Sequence, residues 1–130
     1  MRFERINVNP KQWKHEGDCV VRAIASSTQR TWIEVYKDLC QLGLKKCRMP
    51  NSQKVYEQYL TNLDYITLPQ PRKFNNKKYR IDEWLELNPN FSGVLSIKNH
   101  LTCVDQGVLI DTWDCSRSYI CKIYKKIYQK

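Results

Sequence analysis

Gly93-Val94-Leu95-Ser96-Ile97-Lys98-Asn99-His100-Leu101-Thr102-Cys103-Val104-Asp105-Gln106-Gly107-Val108-Leu109-Ile110-Asp111-Thr112 is the stretch on which the fold turns. Its period is two, with polar punctuation, so Val94–Ile97, His100–Asp105 and Val108–Thr112 read as consecutive antiparallel strands. Gln106-Gly107 is the tight turn between the last two. A two-residue turn there sets Asp105 opposite Val108, Thr102 opposite Asp111 and His100 opposite Trp113. Asp111 then shares a sheet face with His100 and lies diagonally from it.

Upstream the period changes to that of helices. Val20, Ala23, Ile24 and Ser27 recur at three-four spacing over Cys19–Thr28, with Asp18 as the expected N-cap, so Cys19 falls in the first turn. Thr31-Trp32-Ile33-Glu34 is a capping box opening a second helix, whose stripe is Trp32, Val35, Tyr36, Leu39 and Cys40 and whose expected stop is Gly43. A third helix follows Pro50-Asn51-Ser52, and Tyr65–Leu68 suits a strand. Pro69–Lys78, rich in proline, asparagine and basic residues, reads as a mobile surface loop, and Ile81–Leu87 as a short helix closed by Pro89. Phe3–Val8 suits a short strand or extended arm. The tail fits a strand through Tyr119, Cys121 and Ile123, or a helix through Ile120, Ile123, Tyr124, Ile127 and Tyr128. Helices precede strands without alternating, which predicts an α+β class, N-terminal helices packed on a C-terminal antiparallel sheet.

The whole chain, 130 residues with 42% hydrophobic content, suits one domain over 1–130. No apolar run is long enough to span a membrane and Met1–Ile6 lacks the apolar stretch of a secretory signal, so a cytoplasmic location without membrane contact is expected. Reduced thiols are then expected for Cys19, Cys40, Cys47, Cys103, Cys115 and Cys121. None is spaced Cys-x2-Cys and the chain has two histidines, so neither a metal nor another cofactor is expected. The net charge of +9 gathers at Lys45–Arg48, Arg72–Arg80 and Lys122–Lys130, which favours an anionic partner or simply solvates the surface. Lys73-Phe74-Asn75-Asn76-Lys77-Lys78-Tyr79-Arg80 interleaves charges with rings as single-strand binders do, so a basic module for nucleic acid or an acidic host protein is one functional reading.

The other reading starts from Cys19. Unpaired amides and the dipole of a helix start stabilise a thiolate, and the preceding Glu16-Gly17-Asp18 is polar and flexible. A thiolate nucleophile needs a base and the base an orienting group. Of the two histidines, His15 lies in a loop close before Cys19, whereas His100 opens a strand whose face it shares with Asp111. His100 is therefore the base and Asp111 its orienter, with Asp114 as the alternative should the strand bulge.

Glu16-Gly17-Asp18-Cys19-Val20-Val21-Arg22-Ala23-Ile24 resembles the nucleophile motif of the OTU (ovarian-tumour) deubiquitinases, with Glu16 where those enzymes carry aspartate. Asn99–Val104 followed by Gly107–Asp111 resembles the His and Asp strands of bacterial papain-like peptidases, including the bacteriocin-processing group. End to end, the sequence is also similar to small proteins of bacteriophages and Gram-positive bacteria. These resemblances imply a papain-like cysteine hydrolase acting on a protein or peptide, with Cys19 as nucleophile, His100 as general base and acid, and Asp111 as orienter. Papain-like peptidases place an oxyanion-holding glutamine six residues before the cysteine. Here that position is Trp13, and Gln12, one residue further back, is the oxyanion candidate beside the Cys19 amide.

Overall fold

The computed structural model of the chain describes residues 1–127. Among them are four helices and one six-stranded sheet: β1 (Arg2–Arg5), α1 (Cys19–Thr28), α2 (Trp32–Lys46), α3 (Gln53–Asn62), β2 (Tyr65–Leu68), α4 (Ile81–Leu87), β3 (Gly93–Ile97), β4 (His100–Asp105), β5 (Val108–Asp111) and β6 (Lys122–Lys126). The class is α+β, with helices leading and the sheet largely C-terminal. Of the tail residues, Ile123 and Tyr124 resolve in a strand, Tyr119 and Cys121 precede it, and Tyr128, invoked for the helical alternative, lies outside the described residues.

The strands run in the order β1-β5-β4-β3-β6-β2. Asp105 opposes Val108, Val104 opposes Leu109 and Cys103 opposes Ile110, the register expected of a turn at Gln106-Gly107. Both turn residues have positive φ, 46° and 78°, and a Cβ on Gly107 would lie 2.1 Å from the Pro89 carbonyl oxygen, so glycine is required there. The sheet is mixed rather than wholly antiparallel: β1 pairs parallel with β5, setting Arg5 beside Asp111. That pairing is possible because the helices and three strands intervene between the two, ample chain for a crossover.

The hydrophobic pattern divides between two faces. Val94, Leu101 and Tyr124 face a core shared with Val20, Ile24, Val35, Leu39, Val55 and Leu60 of α1, α2 and α3. Leu95, Ile97, Val104, Leu109 and Ile123 face a second core with Ile81 and Leu85 of α4. Both faces of the sheet are thus covered, which is why β3 is nearly all apolar. Glu57 of α3 accepts from Tyr124 Oη (2.6 Å) and Lys122 Nζ (2.9 Å), fastening that helix to β6.

The Thr31 capping box forms as expected, Thr31 Oγ1 accepting from Glu34 N at 3.1 Å and Glu34 Oε1 from Thr31 N at 3.1 Å. Gly43, however, does not stop α2. The helix continues to Lys46 and ends at Cys47 in the left-handed region (φ 54°), while Gly43 is buried where a Cβ would come within 2.6 Å of the Arg48 carbonyl oxygen. The glycine is there for close approach of the returning chain, not for termination.

Candidate active site

Cys19 is the first residue of α1, at the helix end where backbone N–H groups lack intrahelical acceptors. Asp18 occupies the N-cap position but makes no side-chain capping bond. Its buried carboxylate instead accepts from Asn9 Nδ2 (2.9 Å), Trp32 Nε1 (2.9 Å) and Arg22 Nε (2.8 Å). These three donors fix the start of α1 against the N-terminal loop and α2. Burial opposes ionisation of Asp18, yet the bonds from Asn9, Trp32 and Arg22 prevail and hold its pKa below the usual carboxyl value.

His100 is placed by the β3–β4 hairpin. Its predecessor Asn99 takes the left-handed conformation (φ 56°) in the two-residue turn, so β4 begins at the histidine, opposite Ile97. His100 Nε2 lies 2.7 Å from Asp111 Oδ2. The face-sharing diagonal expected from the hairpin register is therefore a direct hydrogen bond. Asp111 is buried, with its other oxygen accepting from the Thr112 amide (2.7 Å) and facing Arg22 Nη1 at 3.4 Å. The Trp113 ring rests against the imidazole, centroids 5.1 Å apart.

The electrostatics favour an ion pair. Burial raises the Cys19 pKa, but the His100 ring, the Leu101 backbone and the charge of Arg22 outweigh it, and the net shift is downward. Burial works against the His100 cation, but Asp111 foremost, then Cys115 and Cys19, push its pKa up to about 11. Asp111 is lowered despite its burial, chiefly through His100. With Nε2 committed to Asp111, Nδ1 is the ring nitrogen left for the thiol.

Cys19 and His100 open onto a cavity of 920 Å³ whose walls include Arg5, Gln12, Lys14 and Trp113. Its size is in the range of small-ligand sites. Gln12 reaches this cavity, but its Nε2 donates to the carbonyls of Asn7 (2.7 Å) and Asn9 (2.9 Å), so both amide protons are occupied and the side chain must turn before it can serve an oxyanion. His15 lines the same cavity from an exposed loop. Asp114 is not brought to the imidazole: it is exposed and its Oδ1 accepts from the Ser116 amide (3.0 Å), because the strand ends at Asp111 and the chain turns.

Three contributors carried no role in the sequence reading. Arg22 joins Asp18 to Asp111 and also donates to Thr112 Oγ1 at 2.8 Å, tying α1 to β5 and the residue after it. The four-residue spacing from Asp18 on one helix face was its signal. Asn9 is buried by the Asp18 bond, and nothing local distinguishes it from Asn7. Cys115 is 1% exposed and points its thiol at Asp111 Oδ2 (3.8 Å), a placement that depends on the turn after β5. His100, Asp111 and Cys115 bring their ligand atoms within 4.8 Å of one another, the group among the described residues that could hold a metal ion. Two of those atoms already bond each other, so an ion there would have to break the His100–Asp111 contact.

No family model, curated protein or solved structure matches the chain.

Proposed function

We propose that the chain is a papain-like cysteine hydrolase acting on an amide bond of a protein or peptide. The observation that carries this reading is a helix-start thiol whose stabilising partner, His100, is itself held by Asp111 at 2.7 Å. In this mechanism the Cys19 thiolate attacks the carbonyl carbon, and the developing oxyanion is met by the Cys19 backbone amide at the helix start. His100, protonated in the resting pair, gives its proton to the departing nitrogen as the C–N bond breaks. The imidazole then takes a proton from water, whose oxygen attacks the thioester and frees the thiolate. Asp111 stays ionised throughout, fixing the ring and the imidazolium charge. A cytoplasmic setting, where thiols stay reduced, belongs to this reading and accords with six free cysteines.

The test is alkylation of Cys19 by iodoacetamide from about pH 4 to 10, with the modified residue located by mass spectrometry. An ordinary thiol becomes reactive near its pKa of about 8.5. Because Cys19 is shifted down and His100 up, Cys19 ionises at lower pH than an ordinary thiol, so at pH 6 it should react about tenfold faster than the other thiols. His100→Ala should abolish that advantage. Equal rates for Cys19 and the exposed Cys47 and Cys121 at pH 6 would sink the hydrolase reading.

A further inference from the structure

The Pro69–Lys78 stretch, expected as an unstructured loop, is built as a small hairpin. Arg72 and Lys78 form an antiparallel bridge, Lys73 N donates to Lys77 O and Asn76 N to Lys73 O, each at 2.8 Å, and Asn76 turns the chain at φ 65°. Asn75 Oδ1 accepts from Lys77 N at 3.1 Å and Arg72 Nη1 donates to Asn76 O at 3.1 Å. The backbone of this projection is thus held in one shape.

The hairpin borders a cavity of 590 Å³ lined by Arg72, Lys73, Lys77, Lys78 and Arg80 around Tyr119, and it shares no lining residue with the Cys19 cavity. Its one acid, Glu83, is taken by Lys73 at 2.6 Å, and Arg80 is paired with Asp82 at 3.0 Å. Arg72, Lys77 and Lys78 form no ion pair among the described residues. Three uncompensated cations therefore face one concave surface.

The aromatic rings add a second, independent indication. Were the stretch only a solvated loop, Phe74 would anchor it by packing inward. Instead Phe74 is 109% exposed, and Tyr119 is 54% exposed inside the cation-lined cavity. Exposed rings beside unpaired cations suit ligands that offer flat π surfaces joined by negative charges.

We infer that the 72–80 hairpin and its cavity form a binding site for single-stranded nucleic acid. Phosphates meet Arg72, Lys77 and Lys78, while unstacked bases lie on Phe74 and Tyr119. A duplex satisfies this surface poorly because its bases are already stacked, and an acidic polypeptide offers the charge without the rings.

Fluorescence anisotropy of a labelled deoxythymidine oligomer of about a dozen nucleotides, read over a range of salt, tests the site. Three neutralised phosphates give a slope of log affinity against log salt of about −2. Lys77→Gln together with Lys78→Gln should bring that slope to about −0.7. Phe74→Ala should weaken binding roughly tenfold to a hundredfold and Phe74→Tyr should restore it. All these positions lie outside the Cys19 cavity, so circular dichroism and the Cys19 alkylation rate should be unchanged in each variant. Absence of binding at low salt, equal affinity for a matched duplex, or indifference to Phe74→Ala would each overturn the inference. Poly-glutamate bound as tightly, with the same dependence on Phe74, would overturn it too and reassign the surface to acidic polypeptides.

Discussion

At the scale of single residues, Arg22 carries more than its place in a short motif suggests. It is the shared cation between two buried carboxylates, Asp18 beside Cys19 and Asp111 behind His100. Arg22→Met should leave Asp18 without a cation, while Asp111 keeps His100, and should cost about 3 kcal/mol, read as a lower urea midpoint. Asp18 makes the converse prediction in acid. Its folded pKa is depressed, so the stability it confers is full above the ordinary carboxyl value of about 3.9 and drains away as pH falls through the lowered folded value. Asp18→Asn should therefore flatten the fall of the urea midpoint between about pH 5 and 2, and a limb as steep as the wild type's would show that Asp18 is not its source.

Elements respond to different forces. Thr31→Ala removes the reciprocal cap of α2 and should cost about 1 kcal/mol by thermal or urea denaturation. Gly43→Ala raises intrinsic helix propensity yet should destabilise by about 1–3 kcal/mol, because the atom its Cβ meets is the backbone oxygen of Arg48, which cannot swing aside. The same position shows where sequence reading succeeds and where it stops. Elements set by local chemistry were legible: the capping box, the Gln106-Gly107 turn, the three-four stripe of α1, and through the hairpin register the pairing of His100 with Asp111. Part of what escaped depends on contacts distant in the chain. The parallel docking of β1 on β5 and the diversion of the Asp18 carboxylate from cap to Asn9 and Trp32 each need a neighbour that no local window holds. Gln12 and Cys115 escaped for another reason: their partners are near in sequence but meet them only through irregular turns, which carry no periodic pattern.

For the molecule as a whole, the site is a joint between parts that meet only when the entire sheet is formed. α1 supplies the thiol, β4 the imidazole, β5 the carboxylate, and β1 is laid along β5 with the Ile6 amide bonded to the Asp111 carbonyl at 2.9 Å. Low-pH reactivity of Cys19 should therefore vanish at the same urea concentration as the tryptophan fluorescence transition. Loss at lower urea would mean that the site opens as a unit separate from the core.

The position of β6 reaches beyond stability. This strand lies between β3 and β2, with Ile123 and Tyr124 buried in the two cores, although it follows the other five strands of the sheet in the chain. During translation Cys19 leaves the ribosome early, while the sheet's interior slot stays vacant until Lys126 has emerged. On the reading of Cys19 proposed above, a nascent chain thus carries its thiol before the sheet that positions His100 and Asp111 is complete, and the order of synthesis delays reactivity until β6 has been added.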